Sequence, residues 1–259
     1  MRPKNIVELL ERVYPSKIPI RSQYGECIIL SEHFATRKKG YFVDIGAADG
    51  IRYSNTNFLI EKGWSGLLVE PCQHFVTTLQ NNNEKNNDVS IYAGAVSNYN
   101  GMTNLHVFAS GEHAQASTIV ETLRNEIENE YKQIGTFTDC YSVQVVNPEK
   151  LLKMYNAPKK IDFVDIDAEG SDFKILNAWP WDKYEVEIFC VEFSMGKILL
   201  QKFMNNKGYV LLAQTEGNHI YWKYDAEKIN EFLNTKKFAD EIPLKTFKYI
   251  TAYMERNET

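Results

Sequence analysis

The run Gly40-Tyr41-Phe42-Val43-Asp44-Ile45-Gly46-Ala47-Ala48-Asp49-Gly50 decides the fold. Tyr41 to Ile45 is a short apolar stretch broken by one acid, and it empties into a loop punctuated by Gly46 and Gly50. A buried parallel strand whose carboxyl end opens on a ligand has this composition. Small residues there let the backbone approach a bound molecule, and glycine accepts positive φ in the turn. Downstream, Gly66-Leu67-Leu68-Val69-Glu70-Pro71 is a second apolar strand, tipped by Glu70. A glycine loop after the first strand and an acid after the second is the layout that grips a ribose in a doubly wound sheet. The expected ligand contains a nucleoside.

What the loop lacks narrows the choice. A dinucleotide site wants Gly-x-Gly-x-x-Gly, with the middle glycine seating the pyrophosphate. Here that position is Ala48, and Asp49 would place negative charge beside a pyrophosphate. S-adenosylmethionine instead carries a sulfonium and an ammonium, which acids attract. The order Val-Asp-Ile-Gly-Ala-x-x-Gly is similar to motif I of class I methyltransferases. A nicotinamide-dependent oxidoreductase is the alternative from another enzyme class, and a nucleoside-binding protein without turnover is the non-enzymatic one.

The chain has 259 residues, 44% of them hydrophobic and 24% charged, which suits one large α/β domain. Its formal net charge is −5, and no basic run exceeds Arg37-Lys38-Lys39. A nucleic-acid partner is therefore not expected. Cys27, Cys72, Cys140 and Cys190 show no CxxC spacing and read as reduced thiols of a cytoplasmic protein. No signal peptide and no membrane span are expected. A homo-oligomer is left open.

Helices are expected over 4–14, 27–36, 55–62 (capped by Ser54 and ended by Gly63), 74–81, 119–133, 148–155, 195–206 and 226–234. Strands are expected over 41–45, 66–70, 89–96, 104–108, 142–146, 160–170, 187–193 and 208–214, with 219–224 as a hairpin partner. Residues 245–254 are apolar enough to pack or pair. The whole reads as a mostly parallel sheet with helices on both faces.

The stretch Lys160 to Gly170 alternates apolar residues with acids, so a continuing strand would set Asp165, Asp167 and Glu169 on one side. Such carboxylates repel unless something positive lies between them. Mg²⁺ or Mn²⁺ is an economical answer, with Asp167, Glu169 and Glu192 of the next strand as ligands. The five histidines read as structural, although His219 stands where loops fold over the pocket.

Together the segments resemble the FkbM family of S-adenosylmethionine-dependent O-methyltransferases. The matching pieces are Ser22-Gln23-Tyr24-Gly25-Glu26, Phe42 to Gly50, Ser54-Asn55-Thr56, Gly63 to Pro71, Ala95-Val96-Ser97 and Asp165 to Asp172. Over about residues 20–225 the resemblance implies a Rossmann-like class I fold of seven strands with a reversed last hairpin. It implies a single methyltransferase domain over 1–259, with 1–39 as a helical lead-in and 235–259 as a C-terminal extension. Cofactor contacts are implied for Gln23, Asp44, Gly46, Ala47, Gly50, Asn55, Thr56, Glu70, Pro71, Ala95, Val96 and Ser97. The substrate implied is a sugar or nucleotide-linked sugar hydroxyl, and the resemblance implies a metal on Asp167 and Glu192. Glu169 joins them from the alternation above, Asp167 is expected to be catalytic, and His219 is nominated as the base that the chemistry needs. Two features depart from the family pattern. Cys27 stands where an acid is usual, and no acid follows the third strand, leaving backbone near Gly94–Val96 and the Ser97 hydroxyl to face the adenine. Arg21 and Arg52 are candidates to meet a diphosphate.

Overall fold

A computed structural model describes residues 21–109, 116–120, 123, 135–193, 196–223 and 225. The helices expected over 4–14 and 226–234, the segment 245–254 and nearly all of 119–133 lie outside the described residues. The elements, in chain order, are α1 (Glu26–His33), β1 (Tyr41–Ile45), α2 (Asn57–Glu61), β2 (Ser65–Glu70), α3 (Gln73–Asn82), β3 (Val89–Ala93), β4 (Ala95–Val96) and β5 (Gly101–Ala109). They continue with β6 (Thr136–Val146), α4 (Pro148–Met154), β7 (Lys160–Ile166), α5 (Asp172–Asn177), β8 (Glu185–Glu192), α6 (Lys197–Asn206), β9 (Tyr209–Gln214) and β10 (Asn218–Lys223).

Seven strands form one sheet in the order β3-β2-β1-β7-β8-β10-β9. β1 pairs in parallel with β2 and with β7, and only β10 runs antiparallel, against β8 and β9. The chain leaves β1 toward β2 and β3, then returns through β7 on the other side. Strand order therefore reverses between β1 and β7, and ligands of open α/β sheets bind outside the carboxyl ends at such a point.

The central parallel strands β1, β2, β7 and β8 are buried on both faces, which is why they read as nearly unbroken apolar runs. Val43, Ile45, Val164, Ile166 and Phe189 pack into one layer, while Phe42, Phe163, Ile188 and Cys190 join Phe34, Leu59 and Trp64 in the other. Ser54 does serve the helix after the glycine loop, but from two residues before its cap. Its hydroxyl accepts from the Asn57 and Thr56 N–H groups at 3.0 and 3.2 Å.

One expectation is corrected here. Residues 89–96 are not one strand. The Gly94 N–H turns back to the Tyr92 carbonyl at 3.2 Å, and Ala95–Val96 pairs instead with Val145–Val146 in a separate sheet of order β4-β6-β5. β5 and β6 form a long antiparallel ribbon whose apolar face, including Leu105, Val143 and Val145, packs with Ala48 and Cys72. The second sheet thereby becomes one wall over the carboxyl end of the first.

Candidate active site

The carboxyl ends of β1, β2, β7 and β8 open on a cavity of about 320 Å³. Main-chain bonds fix its floor. The Gly46 and Ala47 N–H groups both donate to the Val69 carbonyl at 3.0 Å, and the Asp167 N–H donates to the Ile45 carbonyl at 2.9 Å. A Cβ on Gly46 would lie 1.8 Å from the Asp167 carbonyl oxygen, and the residue's φ is +102°. That close approach is what requires glycine.

The acids come from the strand ends. Glu70 finishes β2 and is buried, its two oxygens accepting from the Ala48 N–H at 2.9 Å and the Cys72 N–H at 2.7 Å. Asp44 on β1 and Asp165 on β7 are direct register partners. The Thr56 hydroxyl donates to Asp44, and Asn55 Nδ2 donates to both oxygens of Asp165 at 3.2 and 3.1 Å. Burial pushes Asp44 up to about 6 despite the Thr56 hydroxyl. Burial also lifts Glu70 to about 7 against the pull of the Cys72 and Ala48 amides. Asp165 rises well above the ordinary carboxylate range through burial and the charges of Asp44 and Asp167. Asp167 reaches about 7 through burial and then the charges of Asp172, Asp44, Glu26 and Glu70.

The other end of the sheet is built differently. There Arg37 donates to Asp162 and to both oxygens of Glu187, which also meets His33 Nε2 at 2.9 Å. Although burial opposes it, those hydrogen bonds hold Glu187 down to about 2. Among the described residues no ion pair reaches Asp44, Glu70, Asp165 or Asp167. The cavity wall carries six acids and, among described residues, one base, Arg52. Buried carboxylates with neutral donors alone are costly, and a cationic ligand relieves that cost. The Asn55 amide oxygen is buried on the same wall with no partner among the described residues, so it is an acceptor for a ligand donor such as an ammonium. The residues present thus suit a ligand that combines positive charge with hydrogen-bond donors.

A family model described as the methyltransferase FkbM domain matches residues 44–236. The chain belongs to the FkbM methyltransferase family. Its seven-stranded, mostly parallel sheet with a reversed last hairpin is the Rossmann-like class I methyltransferase fold, and the cofactor of the family is S-adenosylmethionine. Solved structures with a similar course include the N-terminal domain of human METTL16 in complex with SAH, at 14% identity, TM-score 0.41, covering 86% of this chain and 82% of that one. Another is TrmK of M. capricolum with S-adenosylhomocysteine, at 13% identity and TM-score 0.35, covering 85% and 88%. A third is precorrin-6y C5,15-methyltransferase from Geobacter metallireducens, at 14% identity and TM-score 0.38, covering 80% and 93%. These likenesses say nothing about what this chain methylates. No curated protein matches it at a significant level.

Of the FkbM residues expected to touch the cofactor, Gln23, Asp44, Gly46, Ala47, Asn55, Glu70, Pro71, Ala95 and Val96 line the cavity. Gly50, Thr56 and Ser97 do not. Gly50 closes the turn, its N–H donating to the Ala47 carbonyl at 2.8 Å; Thr56 supports Asp44 from behind. Ser97 is buried against β6, its N–H on the Val146 carbonyl at 3.1 Å. Asp49 also stays out of the cavity, because one of its oxygens caps the Ile51 and Arg52 N–H groups at 2.8 Å. The charge that suits a cation comes instead from the strand-end acids.

Asp167, Glu169 and Glu192 reach the wall, whereas His219 does not line it. His219 is 1% exposed, with Nδ1 2.8 Å from the Tyr221 hydroxyl and its ring against Phe193. Burial, with Lys197 nearby, lowers it to about 4. The alternation that aligned Asp165, Asp167 and Glu169 also fails, because β7 ends at Ile166 and Glu169 takes a φ of 45°. Asp172 gathers that loop by accepting from the Ala168 N–H at 2.7 Å and the Gly170 N–H at 3.2 Å. Among the described residues no group of three or more His, Cys, Asp or Glu side chains is placed to hold a metal ion.

Sequence reasoning missed Asn218 and Tyr24 on the cavity wall, and Glu26 behind it. Glu26 lay within a quoted motif, but its partner is 192 residues away, so no local signal marked it.

Proposed function

We propose that this chain transfers the methyl group of S-adenosylmethionine to a hydroxyl of a sugar or nucleotide-linked sugar. The observation that carries the reading is the acid-rich cavity at the β1–β7 switch point, with four buried or half-buried strand-end carboxylates and no cation paired to them among the described residues. Glu70 retains lone pairs for the ribose hydroxyls beyond the two amides it already holds. Asp44 and the Asn55 amide oxygen face the cationic half of the cofactor. Ala95 and Val96 offer apolar surface and backbone to the adenine.

When bound, S-adenosylmethionine supplies an electrophilic methyl on a sulfonium. The protein's share is to hold the hydroxyl in line and to receive its proton. Asp167 is the candidate proton acceptor, since a carboxylate lifted to about 7 takes a proton at neutral pH far more readily than an ordinary one. Its place is set by the Ile45 carbonyl on one side and the Asp172-gathered loop on the other. Acceptor-rich side chains, Asp167 and Glu192 among them, suit a substrate that presents hydroxyl donors. Arg52, beside Tyr53, is the basic group on the wall for a diphosphate, should the sugar be nucleotide-linked.

The test is incubation with radiolabelled methyl donor and a panel of free and nucleotide-linked sugars. Label in a sugar product supports the reading. Label only in RNA or protein offered in parallel contradicts it.

A further inference from the structure

Asn218 begins β10 and is the register partner of Glu192 at the end of β8. It is 5% exposed, yet it forms part of the cavity wall. Its Nδ2 donates to Glu26 Oε1 at 3.0 Å, and the Thr215 hydroxyl donates to that same oxygen at 2.6 Å. The other Glu26 oxygen accepts from the Tyr24 N–H at 3.0 Å, and Glu26 itself is fully buried. A carboxylate in this position only accepts, so the Asn218 amide must turn its nitrogen toward Glu26. Its oxygen is then committed to the opposite direction. Asn218 Oδ1 is buried and has no hydrogen-bond partner among the described residues.

A buried amide oxygen left without a donor is costly unless a ligand supplies one. The turn holds the residue rigidly, with the Asn218 N–H on the Thr215 hydroxyl at 3.0 Å and the Thr215 N–H on the Asn218 carbonyl at 2.9 Å. Tyr24 packs on the same turn, where a Cβ on Gly217 would come 2.7 Å from its ring. After burial, the charges of Glu216, Glu26, Asp167 and Glu192 act to raise the Tyr24 phenol, which places this end of the cavity in the field of Asp167.

We infer that Asn218 is a substrate-binding residue whose amide oxygen accepts a hydrogen bond from a hydroxyl of the methyl acceptor, and that Glu26 is the positioning residue that sets the amide's orientation. This rests on the O-methylation reading above and assigns that reaction its acceptor-side specificity. The site selects a substrate that presents a hydroxyl donor to Asn218, and it disfavours one with a carbonyl or ether oxygen there.

Orientation can be reversed without changing shape. In Glu26→Gln the backbone Tyr24 N–H still demands an oxygen, so the new amide nitrogen faces Thr215 and Asn218. Both can adapt, the hydroxyl by rotating and the Asn218 amide by flipping its nitrogen into the cavity. A donor then meets the substrate's donor. The double variant Glu26→Gln with Asn218→Asp restores an acceptor, because the Gln donates to one Asp oxygen and the other faces the cavity.

Initial rates with the most active sugar of the panel, and S-adenosylmethionine binding by calorimetry, test this. Expected is a rise in acceptor KM of about tenfold or more in Glu26→Gln, with cofactor Kd unchanged and KM recovered in the double variant. A purely structural Glu26 would not give that recovery. Unchanged KM in Glu26→Gln, or no recovery in a folded double variant, overturns the inference while wild-type turnover keeps the O-methylation reading. Wild-type protein inert toward every sugar overturns that reading and this inference together.

Discussion

Asp44 and Asp165 stand directly opposite each other on neighbouring parallel strands, both buried, with only neutral donors beside them among the described residues. Two like charges side by side in a buried sheet lower stability unless a ligand uses them. The same sheet pairs Glu187 and Asp162 with Arg37 at its other end, so among the described residues the want of an ion pair to these acids is particular to the cavity end.

A pH dependence follows. The folded-state values of about 6 for Asp44 and about 7 for Glu70 and Asp167 lie above those of unfolded carboxylates, near about 4. The folded protein thus holds protons that the unfolded chain releases. These groups favour the fold below the unfolded values, and that contribution is lost as pH rises through the folded ones. A cationic cofactor prefers the ionised acids, so its affinity should rise several-fold between about pH 5.5 and about pH 8, with protons released on binding. Calorimetry in buffers of different ionisation enthalpy measures both. A flat affinity with no proton release would count against the acid cluster as the cofactor's seat.

Glu70 holds the Ala48 and Cys72 amides, and in the proposed function it also meets the ligand ribose. Glu70→Ala is expected to weaken S-adenosylmethionine binding about ten- to a hundredfold, since a charged hydrogen-bond partner contributes about 1.5–3 kcal/mol. It should also loosen the glycine loop, seen as faster amide exchange at Ala48. Unaltered affinity would remove Glu70 from the site.

Gly46→Ala meets both a φ of +102° and a backbone oxygen 1.8 Å from the new Cβ. Strain of this kind costs of order 1–3 kcal/mol, and the shift falls on Asp167. Thermal melting should drop and cofactor binding should fail, whereas Gly63→Ala, strained by a φ of +79° but with nothing within 4 Å of its Cβ and far from the loop, lowers melting while keeping the cofactor bound.

Strands β1, β2, β7 and β8 were legible because a strand buried on both faces must be an apolar run, and their acids were legible because they interrupt it. The break at Gly94 was not, since Ala95–Val96 leaves the main sheet only in favour of Val145–Val146, about fifty residues downstream. The metal expectation assumed that alternation continues past Ile166, but Glu169 enters the left-handed region without being glycine. Asn218 escaped notice because its partner is Glu26, at the far end of the chain.

Asp167 as proton acceptor makes a prediction distinct from Asp167 as metal ligand. With the proton passing to the Asp167 carboxylate itself, turnover should survive excess EDTA. Asp167→Asn should lower kcat by about 10²–10⁴-fold, the usual contribution of a general base, and leave cofactor Kd within about threefold. Loss of activity in EDTA with recovery on adding Mg²⁺ would restore the metal reading.

The most direct measurement is the fate of the methyl group itself. Wild-type protein is incubated with S-adenosylmethionine carrying ¹³C in the methyl and with the sugar panel, and the products are read by carbon NMR. The account predicts a new methoxy resonance on a sugar carbon in stoichiometric step with S-adenosylhomocysteine, growing at least about 10²-fold more slowly in Asp167→Asn. A methyl found on nitrogen, or none transferred to any sugar by protein that binds the cofactor, would contradict it.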